Sequence, residues 1–245
     1  MIKLLRHNEI NKVRWDECVK KSFNGNVYAL SWYLDIVHRN WNALVENDYE
    51  RVMPLTSSKK FGLSYMFQPF FVQQLGVFSS TQLSQETVDN FIKAIPQEYR
   101  LIQYRLNSYN KVNYEADDIV RHRNVELDLI YDYQYLYNNY NNNTKRNLAK
   151  AENAELSIVY DIDPEIIINL FRHNKGKNVH HWQDKEYDRL LNLIHTAISY
   201  KCCFTIGIND LENNIIAGAV FMHSHDRLIF LFSGSDERHK DKHAL

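Results

Sequence analysis

No stretch of this 245-residue sequence stays apolar for the length that a membrane span requires; its longest hydrophobic pieces are broken by charges or turns. The opening segment, MIKLLRHNEINKVRW, also lacks the apolar run of a secretory signal. Cysteine is nearly absent. Cys18, Cys202 and Cys203 make an odd set, and the adjacent pair does not readily form an ordinary disulfide. The expectation is therefore reduced thiols in the cytoplasm, with Cys202 and Cys203 packing a strand rather than serving redox chemistry. Neither charge sign is in excess. Lys plus Arg number 29 against 30 Asp plus Glu, a formal net charge of −1, so bulk attraction to nucleic acid or anionic membrane is weak and any anion site must be local. There is no P-loop, no G-x-G-x-x-G, and no linker rich in Pro, Gly or Ser between the two halves.

Present instead is the material of a core: 44% hydrophobic and 13% aromatic residues describe a folded globular chain, not a disordered one. NKVRWDECVKKS (11–22) has helical spacing and is broken by NGN; SWYLDIVHR (31–39) begins a second helix with Ser31 as its expected N-cap. Strands are predicted over 42–47, 51–57 and 63–78, then a helix over 84–95 opened by Ser84, then strands over 100–107 and 124–130. The second half is predicted to hold helices over 131–140 and 144–153 and a strand over 156–161. A helix follows over 163–174, with Asp163 as cap and Pro164 at its first position, and another over 184–201. Three strands close the pattern, over 202–208, 214–223 and 227–234. The predicted class is α/β in the α+β sense, with domains over 1–125 and 126–245 that pack tightly.

The order strand, helix, helix, strand, strand, strand in the second half is similar to the opening of the GNAT acyltransferase fold, and the first half looks like a degenerate copy. NTKRNLAKAENAELSI (143–158), VMPL (52–55), QPFFVQQLGVF (68–78) and IIAGAVFMHSHDRLIFLFSGSDE (215–237) together resemble FemAB-type and CelD-type acyltransferases over nearly the whole chain. That resemblance implies two GNAT-like mixed-sheet domains and transfer of an acyl or aminoacyl group. The donor would be acyl-CoA or aminoacyl-tRNA, and the acceptor an amine or hydroxyl of a cell-envelope or polysaccharide precursor (a small molecule, glycan or peptide precursor). Two departures are visible. GSDERHKDKHAL (234–245) lacks the Q/R-x-x-G-x-G/A loop that holds pyrophosphate, which argues against ordinary CoA binding there. The sequence also stops where a GNAT domain would continue, so the second domain is expected to be truncated after its fourth strand. The alternative is a GNAT-shaped binding module for a glycan or nucleotide-sugar that has lost catalysis.

Candidate site residues follow from these patterns. With Thr144 or Asn143 as N-cap, Lys145 and Arg146 fall in a helix's first turn, where cations are unfavourable unless an anion sits beside them; the alternative is a solvated helix start. The resemblance puts this helix near an acceptor groove. Gln68, Gln73 and Gln74 are costly to bury unpaired and are expected either to line a polar groove between the halves or to lie on the surface. Arg105 and Asn107 stand at a strand end with the same two options, while Trp32 suits either a sugar face or a hydrophobic anchor. Asp236 and Glu237, just past the last strand, are the candidate general bases. Among 11 histidines, His180–His181 adjoin Trp182 and His239 and His243 are four apart, but no acidic or cysteine ligand stands at matching spacing, so no metal is expected.

Overall fold

The computed structural model describes residues 1–113, 119–179 and 181–242. They divide into two compact units, one of Met1–Arg123 with Ser224–Arg227 and the other of Asn124–His223 with Leu228–Leu245. The architecture is the mixed α+β class that the sequence predicts.

In the first unit, β1 (Ile2–Leu5), β2 (Asn42–Glu46), β3 (Arg51–Leu55) and β6 (Phe78–Ser79) form an antiparallel sheet in the order β1-β2-β3-β6. A second sheet, in the order β4-β5-β7, joins β4 (Ser57–Lys60), β5 (Leu63–Phe67) and β7 (Tyr99–Gln103), with β5 and β7 parallel. Helix α3 (Gln85–Lys93) supplies the crossover between them and buries Val88 and Phe91 against Leu44, Met53, Leu55 and Met66. Helices α1 (Lys12–Lys21) and α2 (Ser31–Val37) bury Trp15, Val19, Tyr33 and Leu34. The two large indoles meet at 4.7 Å, and each has its N–H satisfied, Trp15 by the Ala29 carbonyl and Trp41 by Asp35.

The second unit begins with two exposed helices, α4 (Tyr133–Asn139) and α5 (Asn142–Asn153). Its sheet runs β11-β10-β9-β8, built from β8 (Ser157–Tyr160), β9 (Cys203–Asn209), β10 (Ile215–Ser224) and β11 (Arg227–Ser235). Helices α6 (Pro164–His173) and α7 (Asp184–Ser199) bury Ile167, Leu190, Leu193 and Ile194. Contact between α6 and β11 is so close that a Cβ at Gly234 would lie 2.2 Å from the Ile167 carbonyl oxygen and 2.7 Å from the Phe171 nitrogen. Only glycine fits there.

Four local expectations are corrected. The segment 63–78 is not one strand: it leaves the sheet after Phe67, because Pro69 cannot donate to a ladder and Phe71 (φ 66°) and Gly76 (φ 111°) turn through left-handed backbone. Residues 124–130 form no strand, although Val125, Leu127 and Leu129 alternate; all three are exposed and find no ladder partner. Ser31 is not the cap of α2. Leu30 takes that position, and Ser31, 5% exposed, donates through its N–H and hydroxyl to the Asp16 carboxylate at 2.7 Å each. Helix α5 starts earlier than expected, with Asn141 as the cap accepting from the Thr144 N–H at 2.8 Å.

Candidate functional site

A hollow lies in the second unit, where α6 ends and α7 begins. It has a volume of ≈ 500 Å³ and is lined by Arg172, Trp182, Gln183, Asp184, Lys185 and Tyr187. The sequence fixes this corner through helix-end chemistry. Gln183 caps α7, donating its N–H to the Glu186 carboxylate at 2.9 Å, and this reciprocal capping holds Glu186 at 4% exposure. Trp182 then falls among Phe171, Tyr187 and Phe232, at ring separations of 5.4, 5.4 and 6.2 Å. Arg172, in the last turn of α6, lies over the Tyr187 ring at 4.5 Å and donates to Asp184 at 2.5 Å. The result is an aromatic floor under a rim carrying both charge signs, with Lys185 adding a further cation.

Just beyond β11, Asp236 meets Arg238 in a fork, at 3.1 Å from Nε to each carboxylate oxygen and 2.6 Å from the guanidinium nitrogen. The Arg238 hydrogen bonds are the main reason that the Asp236 carboxyl is held down at about 2. His239 lies between two carboxylates: its Nε2 is 3.7 Å from Asp210 and its Nδ1 3.7 Å from Asp236, and that Nδ1 is buried without a hydrogen-bond partner. Asp210 is itself 8% exposed and closes the β9–β10 turn by accepting from the Glu212 and Asn214 N–H groups at 2.9 Å each. Glu237, next to Asp236 in the chain, is exposed.

The structure places the other sequence-derived candidates as follows. Gln68 braces the loop after β5, accepting from the Arg105 N–H at 3.1 Å and donating to the Val72 carbonyl at 3.3 Å. Asn107 is 3% exposed; its amide donates to the Leu75 carbonyl at 3.0 Å and accepts from the Tyr109 N–H at 3.1 Å, so its hydrogen-bonding capacity serves the fold. Gln68, Arg105 and Asn107 thus meet in one loop cluster, with Gln73 exposed on it and the Arg105 side chain exposed at its rim. Trp32 is half-buried against Tyr33 at 5.4 Å. Because α5 begins at Asn142, Lys145 and Arg146 stand at its fourth and fifth positions, past the first turn. Lys145 donates to the Asn138 carbonyl at 2.8 Å, and Arg146 to Asn143 at 2.6 Å.

Sequence reasoning passed over Arg172, Tyr187 and Asp210, and weighed His239 only as a metal ligand paired with His243. Trp182 was visible only as the neighbour of two histidines. Asp210 and His239 are 29 residues apart, so nothing in their spacing signals the pair. His180 and His243 lie outside the described residues. Among the described residues no group of three or more His, Cys, Asp or Glu side chains is placed to hold a metal ion. Burial pushes the Cys18 thiol up to about 11 and the Cys203 thiol up to about 12, which makes both poor nucleophiles at neutral pH.

No protein-family model matches the chain, and no curated protein matches it either. Among the described residues no helix is long and apolar enough to cross a membrane. Among solved structures the chain is similar to one described as the crystal structure of FemX, with a TM-score of 0.60 and 9% sequence identity, over 99% of this chain and 82% of FemX. At that identity the likeness is one of fold, and the fold of this chain is FemX-like.

Proposed function

We propose that this chain is a Fem-type transferase, moving an acyl or aminoacyl group from a thioester or ester donor to an amine or hydroxyl of a cell-envelope precursor. The observation that carries the reading is the fold likeness to FemX over 99% of the chain. In such a transfer the acceptor nitrogen or oxygen forms a bond to the donor carbonyl, and the bond to the departing sulfur or ribose oxygen breaks. The proton lost by the nucleophile passes to a base and then to the leaving group. Asp236 is poorly suited as that base, because its carboxyl lies about five pH units below neutrality. His239, between Asp210 and Asp236, is the better acceptor. The groove of Arg172, Trp182, Asp184 and Tyr187 offers an acceptor both charge signs and an aromatic floor. Mass spectrometry of reactions with panels of acyl-CoA and aminoacyl-tRNA donors tests the reading. Transfer that is lost in His239→Gln is the expected result; no transfer and no donor binding across both panels overturns it.

A second reading, a binding module without catalysis, is favoured by the clamp of Arg238 on Asp236, which occupies the carboxylate that the sequence offers as a general base. Binding of a glycan or nucleotide-sugar without turnover of any donor supports it.

A further inference from the structure

Helix α4 and the turn after it make a surface that neither reading uses. Five of the ten residues from 131 to 140 are tyrosines, and α4 buries none of its side chains. Tyr131, Tyr133 and Tyr135 are 50, 62 and 50% exposed. A single surface tyrosine needs no explanation, but a cluster on an element that contributes nothing to the core does. The rings are ordered against one another: Tyr131 stacks on Tyr135 at 4.3 Å and 28°, and Tyr133 tilts against Tyr137 at 6.0 Å. Amide side chains stand between them. Gln134 donates to Asn138 at 2.9 Å, and Asn139 donates to the Tyr135 carbonyl at 2.9 Å, so the amides are held in fixed orientations while all three residues remain exposed.

Charge decides what such a surface can hold. From Tyr133 to Thr144 the sequence, YQYLYNNYNNNT, has no acidic or basic residue. Asp132, just before it, is used as the α4 cap, accepting from the Tyr135 N–H at 2.8 Å. The two cations that follow are turned inward onto the turn itself: Lys145 bonds Asn138 and lies 5.5 Å above the Tyr137 ring, and Arg146 bonds Asn143. A polyphosphate backbone would meet few available cations here. A sugar chain suits it better, since its C–H faces stack on tyrosine rings and its hydroxyls pair with amides that both donate and accept. We propose that α4 is a binding platform for a neutral glycan strand, a role that does not depend on the transferase reading.

The test uses the whole chain, with chitohexaose and cellohexaose as neutral probes and a single-stranded oligouridylate as the charged one, followed by NMR or tyrosine fluorescence. The expected result is binding of at least one oligosaccharide that is insensitive to added salt. Removing two rings in Y133A/Y135A should weaken it about tenfold or more. Y133F/Y135F, which keeps the rings, should retain most of the affinity and guards against a loss of structure in the alanine variant. The proposal is overturned if wild type binds neither oligosaccharide, if the alanine variant binds as well as wild type with its circular dichroism unchanged, or if only the oligouridylate binds, with steep salt dependence.

Discussion

Asn110 stands in for a missing strand opposite Val77: its Oδ1 accepts from the Val77 N–H at 2.7 Å and its Nδ2 donates to the Val77 carbonyl at 3.0 Å. Asn24 works beside it, donating to the same carbonyl at 2.8 Å and accepting from the Ser79 N–H at 3.3 Å. Both asparagines are buried, at 4% and 0% exposure. Backbone in and just before the short strand β6 is thereby satisfied by side chains.

Replacing Asn110 by alanine leaves a buried N–H without a partner and weakens the pairing of a buried carbonyl. The expected cost is about 2–4 kcal/mol, read as a lower midpoint in urea unfolding with an unchanged slope. Asn110→Asp keeps an acceptor for the N–H and loses the donor. At neutral pH it also sets a buried carboxylate oxygen against the Val77 carbonyl, so it should cost as much as Asn110→Ala or more.

Two glycines with positive φ make a paired comparison. Gly76 has φ 111°, and a Cβ there would lie 2.1 Å from the Asn110 Oδ1; Gly62 has φ 80° and nothing within 4 Å. Gly62→Ala should cost about 1 kcal/mol, the backbone penalty alone. Gly76→Ala adds a steric conflict with the Asn110 brace and should cost clearly more in the same denaturation assay. Equal losses would show that the brace yields freely.

The Asp236 carboxyl is depressed from its ordinary 3.8 to about 2, chiefly by its hydrogen bonds to Arg238. A depressed carboxyl contributes stability that is present above its unfolded value and is lost as pH falls through its folded one. That contribution should fade between about pH 4 and pH 2. Carbon-13 NMR titration of Asp236 should give a midpoint near 2 in wild type and a return toward the ordinary carboxylate range in Arg238→Gln. An unmoved midpoint would mean that another group holds the charge.

Cys18 and Cys203 carry thiols raised by burial from 9.0 to about 11 and about 12. Iodoacetamide at mildly alkaline pH should modify both far more slowly in the folded chain than in urea. The sign for stability is opposite to that of Asp236. Above pH 9 the unfolded thiols ionise while the folded ones stay protonated, so stability should decline as pH rises past 9.

How much of this was legible depended on the range of the interaction. The Asp163–Pro164 start of α6 and the Ser84 cap of α3 are written in adjacent residues, and both stand where the sequence puts them. The α5 cap was not decidable from chemistry alone, because Asn141, Asn142, Asn143 and Thr144 are all competent caps and only the turn from α4 selects among them. The loop over 68–77 was mistaken for strand because it keeps only an isolated backbone bridge, Leu75 to Leu106, while Val77 is held by side chains 33 and 53 residues away in Asn110 and Asn24. Asn107 was expected in a groove or on the surface, and its burial was missed for the same reason: a polar residue at a strand end gives no local sign of being buried.

The sheet orders described above also set a timetable for assembly. In the second unit β9, β10 and β11 follow one another through short turns, so their ladders close over small loops and can form early. β8 joins only after α6 and α7 have been laid down between it and β9. In the first unit the parallel pairing of β5 with β7 must wait for α3 and the Asn-braced loop to bring distant segments together. The β9–β11 meander is therefore expected to acquire hydrogen-exchange protection first during refolding, and the β5–β7 pair last.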